Sequence, residues 1–499
     1  MNISNNLKNA ASHFPDHTAL IDENRTLTYS ELDTESSRIA SALRHIDLLP
    51  GDHVALLYPN ACDWIAFYFG VLKAGAVTVT LPYAMTPKEL DPVLDDCRPK
   101  MILTNDAKLT DFNRKKYTDC IISDNADMTY PDLLSKGTDE SKIIEREPHD
   151  TAAILYTGGT TGMPKGVMLT HSNIISSSFN VARNERSSEN DRALCFLPLN
   201  HVFAQVHIMN SAISTAGGLV LQPSFNMDAF LGAIPLHHVT KIYSVPTVYT
   251  RLLSLPDLKE KLCNVRYCFS AAASMAKELV LEWKNRTGLD IFEAYGMTES
   301  ASMVTYNHYH KHVPGSVGTA ANGVEIQIRD HSGNVLGKNQ RGEICISGPN
   351  IMKGYLNRGE DTQKAFWGRW FRSGDVGIID ENDYLFIVDR IKDLIITGGE
   401  NVAPREVEDV LYERPEIEEC AVIGLPDEEY GERVTAYITA RKGYKIDPVE
   451  LKAFMKQRLS PFKVPKQFIT IPALPKSSAG KLLKRKLKEQ VLDGTIAGR

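Results

Sequence analysis

The sequence predicts a layered α/β body followed by a small α+β unit. Three observations carry that expectation: short apolar strands alternate with helical periodicities along most of the chain, the pattern restarts after about residue 390, and 499 residues exceed one ordinary domain. Hydrophobic residues make up 43% and charged residues 24%, a globular rather than a disordered composition.

Taken in order, Thr28-Tyr29-Ser30-Glu31 has the form of a capping box, and Leu32, Ile39, Leu43 and Ile46 recur behind it at helical spacing. Gly51 and Asp52 punctuate the chain before a strand at 54–58, and a helix over 63–73 leads through Gly75 into a strand at 76–79. Further strands are predicted at 101–103, 153–156, 193–197, 219–222, 242–245 and 265–270. Such alternation implies sheets covered by crossover helices, with the chemistry on loops at strand ends. In the last unit, Pro404 fits the first turn of a helix with Val407, Val410 and Leu411 as its buried stripe. Strands at 420–423 and 434–438 and a helix at 448–459 follow. The chain then ends on the basic stretch PKSSAGKLLKRKLKE. No repeat or low-complexity linker intervenes, so a short hinge is expected between a large domain, 1–390, and a small one, 391–499.

A formal charge of −6 and a pI near 6.2 offer no basic field to a nucleic-acid backbone, so no nucleic-acid partner is expected. The eight cysteines, Cys62, Cys97, Cys120, Cys195, Cys263, Cys268, Cys345 and Cys420, form no CxxC pair or dense disulfide spacing. They are read as reduced, mostly buried thiols of a cytoplasmic protein. No signal-peptide run or uninterrupted apolar span of ~20 residues occurs, so a transmembrane segment is not expected.

Residues 157–166 read TGGTTGMPKG directly after an apolar strand. Gly158, Gly159 and Gly162 permit tight turns with amides aimed at an anion. Thr157, Thr160 and Thr161 add hydroxyls and Lys165 a mobile positive charge, which together suit a polyphosphate. The GxxxxGK[ST] and GxGxxG spacings are both absent.

With several distant segments, this loop makes the chain resemble, over essentially all its length, the adenylate-forming superfamily of acyl- and aryl-CoA synthetases, peptide-synthetase adenylation domains and luciferases. It looks most like a bacterial fatty or aryl acyl-CoA ligase. The resemblance implies that family's fold, a large α/β domain with a small mobile C-terminal domain, and ATP, Mg2+ and coenzyme A as cofactor and co-substrates. The stretch 198–204, PLNHVFA, places His201 beside the acid's carboxylate, although Asn200 and Ala204 stand where many relatives carry an aromatic residue and a glycine. The segment 295–299, YGMTE, resembles the family's adenine and metal segment, in which Tyr295 is expected to pack on the adenine, Thr298 to lie near the α-phosphate and Glu299 to help hold magnesium. By the same resemblance, Asp375 is expected to accept from the ribose hydroxyls after a glycine turn, Arg390 to reach the nucleotide and Lys392 to be the hinge. Gly399 and Glu400 flank the pantetheine path, and Lys481, after Gly480, closes over the carboxylate and the bridging phosphate oxygen.

The implied cycle begins when the carboxylate attacks the α-phosphorus of ATP and pyrophosphate leaves; a thiol then attacks the acyl-adenylate as AMP leaves. Both partners of the first step are anions, so positioning and charge neutralisation are the tasks of the site. By the same resemblance the acid pocket comprises Val206, Met209, Tyr243, Ser244, Val245, Ser270, Ala271, Ala272 and Gly296, mostly apolar and small. The expected acid is a medium- or long-chain fatty acid, with an aryl acid as the alternative. Other readings are a stand-alone enzyme loading a phosphopantetheinylated carrier protein, an oxidative luciferase and a non-catalytic nucleotide-binding scaffold. A monomer or homodimer is expected.

Overall fold

The computed structural model describes the chain except residues 111–113, 119, 140–141, 158–163, 272, 274, 477–481 and 497–499. Two seven-stranded sheets build the larger body. The first runs Ile291–Glu293, Tyr267–Ser270, Lys241–Ser244, Arg192–Cys195, Gly218–Leu221, Thr18–Ile21 and Thr26–Thr28, parallel throughout except for the last pair. The second runs Gly354–Tyr355, Lys165–Thr170, Thr151–Thr157, Val77–Thr80, His53–Leu56, Met101–Leu103 and Cys120–Ile122. Its first three strands pair antiparallel and the rest parallel. Strands such as Lys241–Ser244 and Tyr267–Ser270 are buried at every position, as parallel strands covered on both faces must be.

The expected helix behind Thr28 runs Tyr29–His45, and both reciprocal bonds of the capping box are present. It packs on Cys62–Lys73, a helix with eleven of its twelve residues buried. The approach is close because Gly70 faces Ile39: a Cβ there would stand 2.4 Å from Ile39 Cγ2. One continuous core joins both sheets and this helix pair.

Residues 305–390 depart from the α/β alternation. Glu325–Arg329, Gly342–Ser347, Trp370–Ile379, Phe366–Trp367 and Leu385–Arg390 form an antiparallel sheet. The glycine turn expected at 373–375 is therefore the middle of a ten-residue strand, in which Gly374 takes a positive φ of 72°. The small unit has its own five-stranded sheet, Glu400–Val402, Ile395–Thr397, Gly431–Ala440 and Ile417–Asp427 with Gln467–Thr470 alongside, and its own cores. Pro404 opens the helix Pro404–Tyr412, which buries Val407 and Leu411. All eight cysteines are free thiols, and only Cys263 is exposed. Among the described residues no helix is long and apolar enough to cross a membrane.

Candidate active site

Thr157 and Lys165 stand opposite each other in the antiparallel pair Thr151–Thr157 and Lys165–Thr170, so the Gly/Thr loop is the connection between two buried strands. Its members Gly158, Gly159, Thr160, Thr161 and Gly162 lie outside the described residues. Lys165 Nζ is 2.9 Å from Asp361 Oδ2 and 4.9 Å from the centre of the Tyr355 ring. The Tyr355 hydroxyl donates to Glu299 Oε1 at 2.9 Å. Backbone bonds lock this edge: Leu356 N donates to Gly166 O, Lys353 N to Met168 O and Met352 N to Glu299 O. Lys165 and Glu299, far apart in sequence, thereby share one ring between them.

Tyr295 and Asp375 meet directly, the buried phenol donating to Asp375 Oδ2 at 2.6 Å. Arg390 Nε lies 3.3 Å from Asp375 Oδ1, and the two residues face each other across the antiparallel pair Trp370–Ile379 and Leu385–Arg390. Burial, then the Asp375 charge, pushes the Tyr295 phenol well up. Burial also raises the Glu299 carboxyl, while Tyr355 and Arg390 pull it down and Asp375 pushes it up, so the groups of both clusters act on one another. Thr298 is buried in the short turn Thr298–Ser300. Gly296 has a steric reason: a Cβ there would fall 1.5 Å from Ser302 O.

His201 begins the helical run that carries Val206 and Met209. Its carbonyl accepts from Gln205 N, and its Nδ1 accepts from Phe203 N at 3.3 Å. Phe203–Asn210 then winds as a π-helix buried at every residue, a rare form often found at functional sites. Opposite it, Tyr243, Ser244, Val245 and Ser270 are buried at or beside the C-terminal ends of two neighbouring parallel strands, with Ser244 and Ser270 in register. Their two hydroxyls are buried without a hydrogen-bond partner among the described residues. Ala271 is half-buried at the strand end, and Ala272 lies outside the described residues. Phe203, His207, Tyr243 and Phe269 close up behind them with ring centres 4.4–6.4 Å apart.

In the small unit, Lys392 lies in the short turn Ile391–Asp393 directly after Arg390. Gly398 and Gly399 form a two-residue turn between Ile395–Thr397 and Glu400–Val402, both with the positive φ such a hairpin favours. Glu400 and Gly399 are exposed. The unit docks through Arg405, whose backbone N donates to Asp389 Oδ2 and whose Nη1 donates to Ile387 O, each at 2.8 Å. Lys481 lies outside the described residues. Tyr355, Asp361 and Arg405 were not anticipated from sequence, because each joins the site through a spatial contact that no local motif announces.

A family model described as AMP-binding enzyme matches residues 7–356, and one for the AMP-binding enzyme C-terminal domain matches 406–481. The chain belongs to the AMP-binding enzymes. Its chemistry is ATP-dependent adenylation of an acid by an AMP-forming acid–thiol ligase. A long-chain-fatty-acid–CoA ligase of Bacillus subtilis (strain 168) is 34% identical over 97% of this chain and 93% of that protein. A feruloyl-CoA synthase of Amycolatopsis sp is 34% identical over 95% of this chain and 96% of its own. An oxalate–CoA ligase of Arabidopsis thaliana is 33% identical over 98% and 99%. Among solved structures, ATP-bound MatB from Rhodopseudomonas palustris superposes with a TM-score of 0.92 at 33% identity, covering 99% of this AMP-binding enzyme and all of that chain.

Proposed function

We propose that this AMP-binding enzyme joins a compact aryl or dicarboxylic acid to coenzyme A. The observation that carries the acid class is the aromatic block behind Val206 and Met209: a medium- or long-chain tail needs depth where Phe203, His207, Tyr243 and Phe269 are already packed. The feruloyl and oxalate relatives point the same way, so the preference shifts from the fatty acid expected from sequence to the aryl alternative.

In this reading the connection after Thr157 and the Lys165 ammonium hold the β- and γ-phosphates, with Asp361 giving up Lys165 as ATP arrives. Tyr295 packs on the adenine, Asp375 and Arg390 hold the ribose, and Thr298 donates near the α-phosphate. Glu299 fits magnesium: it is a half-buried carboxylate whose charge burial disfavours, and this ion is commonly held by one or two carboxylates plus phosphate oxygens. When bound, the ion neutralises phosphate charge. His201 borders the carboxylate, and Lys481 offsets charge as that oxygen attacks. The small domain, 391–499, then turns about Lys392, withdrawing Lys481 and bringing Gly399 and Glu400 to the pantetheine, which keeps the adenylate from water.

The test is a panel of phenyl, dicarboxylic and saturated fatty acids with Mg-ATP, offered either CoA or a phosphopantetheinylated carrier protein. The expected result is acyl-CoA from a compact acid, with kcat/KM at least about tenfold above that of any acid of ten or more carbons in a chain, since ~1.4 kcal/mol of differential fit suffices. A fatty acyl product of higher kcat/KM refutes the acid class, and transfer to the carrier alone refutes CoA as acceptor.

A further inference from the structure

Lys165 opens the strand Lys165–Thr170 opposite Thr157, and its ammonium already has an anionic partner: Nζ lies 2.9 Å from Asp361 Oδ2. That carboxylate comes from the short helix Gly359–Lys364, which follows the edge strand Gly354–Tyr355. The helix is fixed without the ion pair. Thr362 Oγ1 accepts from Tyr355 N at 2.9 Å and donates to Arg358 O at 2.9 Å, and Leu356 N donates to Gly166 O at 2.8 Å on the strand that carries Lys165. Gly354, at a φ of 150°, lets Thr362 come close: a Cβ there would stand 2.9 Å from Thr362 Cγ2. Asp361 is thus set beside Lys165 by bonds that do not involve its carboxylate.

The pair adds little to stability. Its side chains are 21% and 33% exposed, and ion pairs open to solvent contribute little to folding. Its charges matter more. The hydrogen bond and charge of Lys165 hold the Asp361 carboxyl below its ordinary value, so near neutral pH an anion sits where Lys165 is expected to meet phosphate oxygens. A carboxylate and a phosphate offer an ammonium the same partner, a charged oxygen. Three donors would let one ammonium touch both, but that sets the carboxylate against the phosphates, like charge against like. Asp361 and a polyphosphate therefore compete for Lys165.

We propose that Asp361 stands in for the β- and γ-phosphates, retaking Lys165 when pyrophosphate leaves, so that it loosens the enzyme's hold on pyrophosphate as well as on ATP. Asp361 is a positioning residue: it acts through Lys165 and does not touch the reacting atoms. The proposal rests on the reading that Lys165 holds the β- and γ-phosphates, and it adds a property of that site, the ease with which pyrophosphate departs. Every ligand that claims Lys165 must break the same ion pair, so ATP and pyrophosphate are weakened alike. AMP, which lacks both outer phosphates, leaves the pair intact. Pyrophosphate that lingers can return to the α-phosphorus, expelling the acid's carboxylate and regenerating ATP, so an internal anion ready to replace it favours release.

The experiment measures the binding of ATP, pyrophosphate and AMP to the full chain by calorimetry in one magnesium buffer, with no acid present so that no turnover occurs. Asp361→Asn, which keeps the shape and removes the charge, is expected to tighten ATP and pyrophosphate by a similar factor, about two- to fivefold for a partly exposed pair, and to leave AMP unchanged. Asp361→Glu, which keeps the charge, is expected to stay closer to wild type. In turnover assays pyrophosphate is expected to inhibit Asp361→Asn more strongly than wild type. Lys165→Ala is expected to weaken ATP and pyrophosphate but not AMP, and adding Asp361→Asn to it to give no gain. Unchanged or weaker ATP and pyrophosphate binding by a folded Asp361→Asn variant, or an equal change for AMP, overturns the proposal. So does the same gain on the Lys165→Ala background, which marks plain charge repulsion. Asp361→Ala supplies the same readout if the asparagine variant fails to fold. Undiminished ATP affinity in Lys165→Ala, by contrast, defeats the phosphate reading itself.

Discussion

Asp375 takes a hydroxyl from Tyr295 and a guanidinium from Arg390, so replacing its charge disturbs three groups at once. Asp375→Asn is expected to lower kcat/KM for ATP by roughly 10–100-fold, the loss of one or two charge-assisted hydrogen bonds, with the melting midpoint recorded as a control. An unchanged ATP dependence removes Asp375 from the nucleotide site. Glu293 gives a prediction in pH. It is buried at the end of Ile291–Glu293, and burial, opposed by Arg405 and by backbone bonds from Gly315 and Met275, pushes its carboxyl up from 4.5 to about 7. Between those values the folded state holds a proton that the unfolded chain has released, so stability falls as pH rises, by ~1.4 kcal/mol per unit, and remains lost above 7. Glu293→Gln is therefore expected to melt near wild type at pH 5 and at a higher temperature than wild type at pH 8, and an equal shift at both pH values contradicts this. At this scale Tyr295, Asp375 and Arg390 were singled out only by the family resemblance of their short motifs, and that they meet one another comes from folding. Asp361 and Tyr355 were not anticipated, since a lone aspartate and a lone tyrosine acquire meaning only from the partners folding brings to them.

Among the elements, the helix pair Tyr29–His45 and Cys62–Lys73 sets how the second sheet is covered. Gly70 faces Ile39 in this contact, which also buries Lys73, whose ammonium donates to Asp33 Oδ1 at 2.6 Å and Ser37 Oγ at 2.9 Å. Gly70→Ala forces a methyl into filled space and is expected to cost about 1–3 kcal/mol by denaturant titration; a neutral or stabilising result shows that the helices separate freely. The first of these helices was readable from its capping box and apolar periodicity, which act locally. The π-helix Phe203–Asn210 was not, because a segment buried on every side has no amphipathic period to detect. The strand Trp370–Ile379 hid for another reason: Ser373-Gly374-Asp375 has turn chemistry, and only pairing with Gly342–Ser347 and Leu385–Arg390 holds it extended, with register shifts on both sides.

The whole molecule divides its burial by unit: the large body has one core joining its two sheets and a second against Val77, Val79, Ile102 and Ile154 of the second sheet, the small unit has cores of its own, and Arg405 contacts Asp389 and Ile387 between them. The restart of the sequence pattern after residue 390 was legible because a unit with its own core must carry its own apolar periodicity. The closure by Gly480 and Lys481, which lie outside the described residues, is expected only by resemblance, since a lysine in a basic stretch has no local signature. In the proposed cycle, adenylation followed by thiol transfer uses both units. The most direct measurement is the product balance of the purified chain with Mg-ATP, CoA and a panel of compact aryl and dicarboxylic acids, read by mass. AMP and acyl-CoA in equal amounts, with no AMP when the acid is left out, is the expected result; ADP in place of AMP, or AMP formed without the acid, contradicts it.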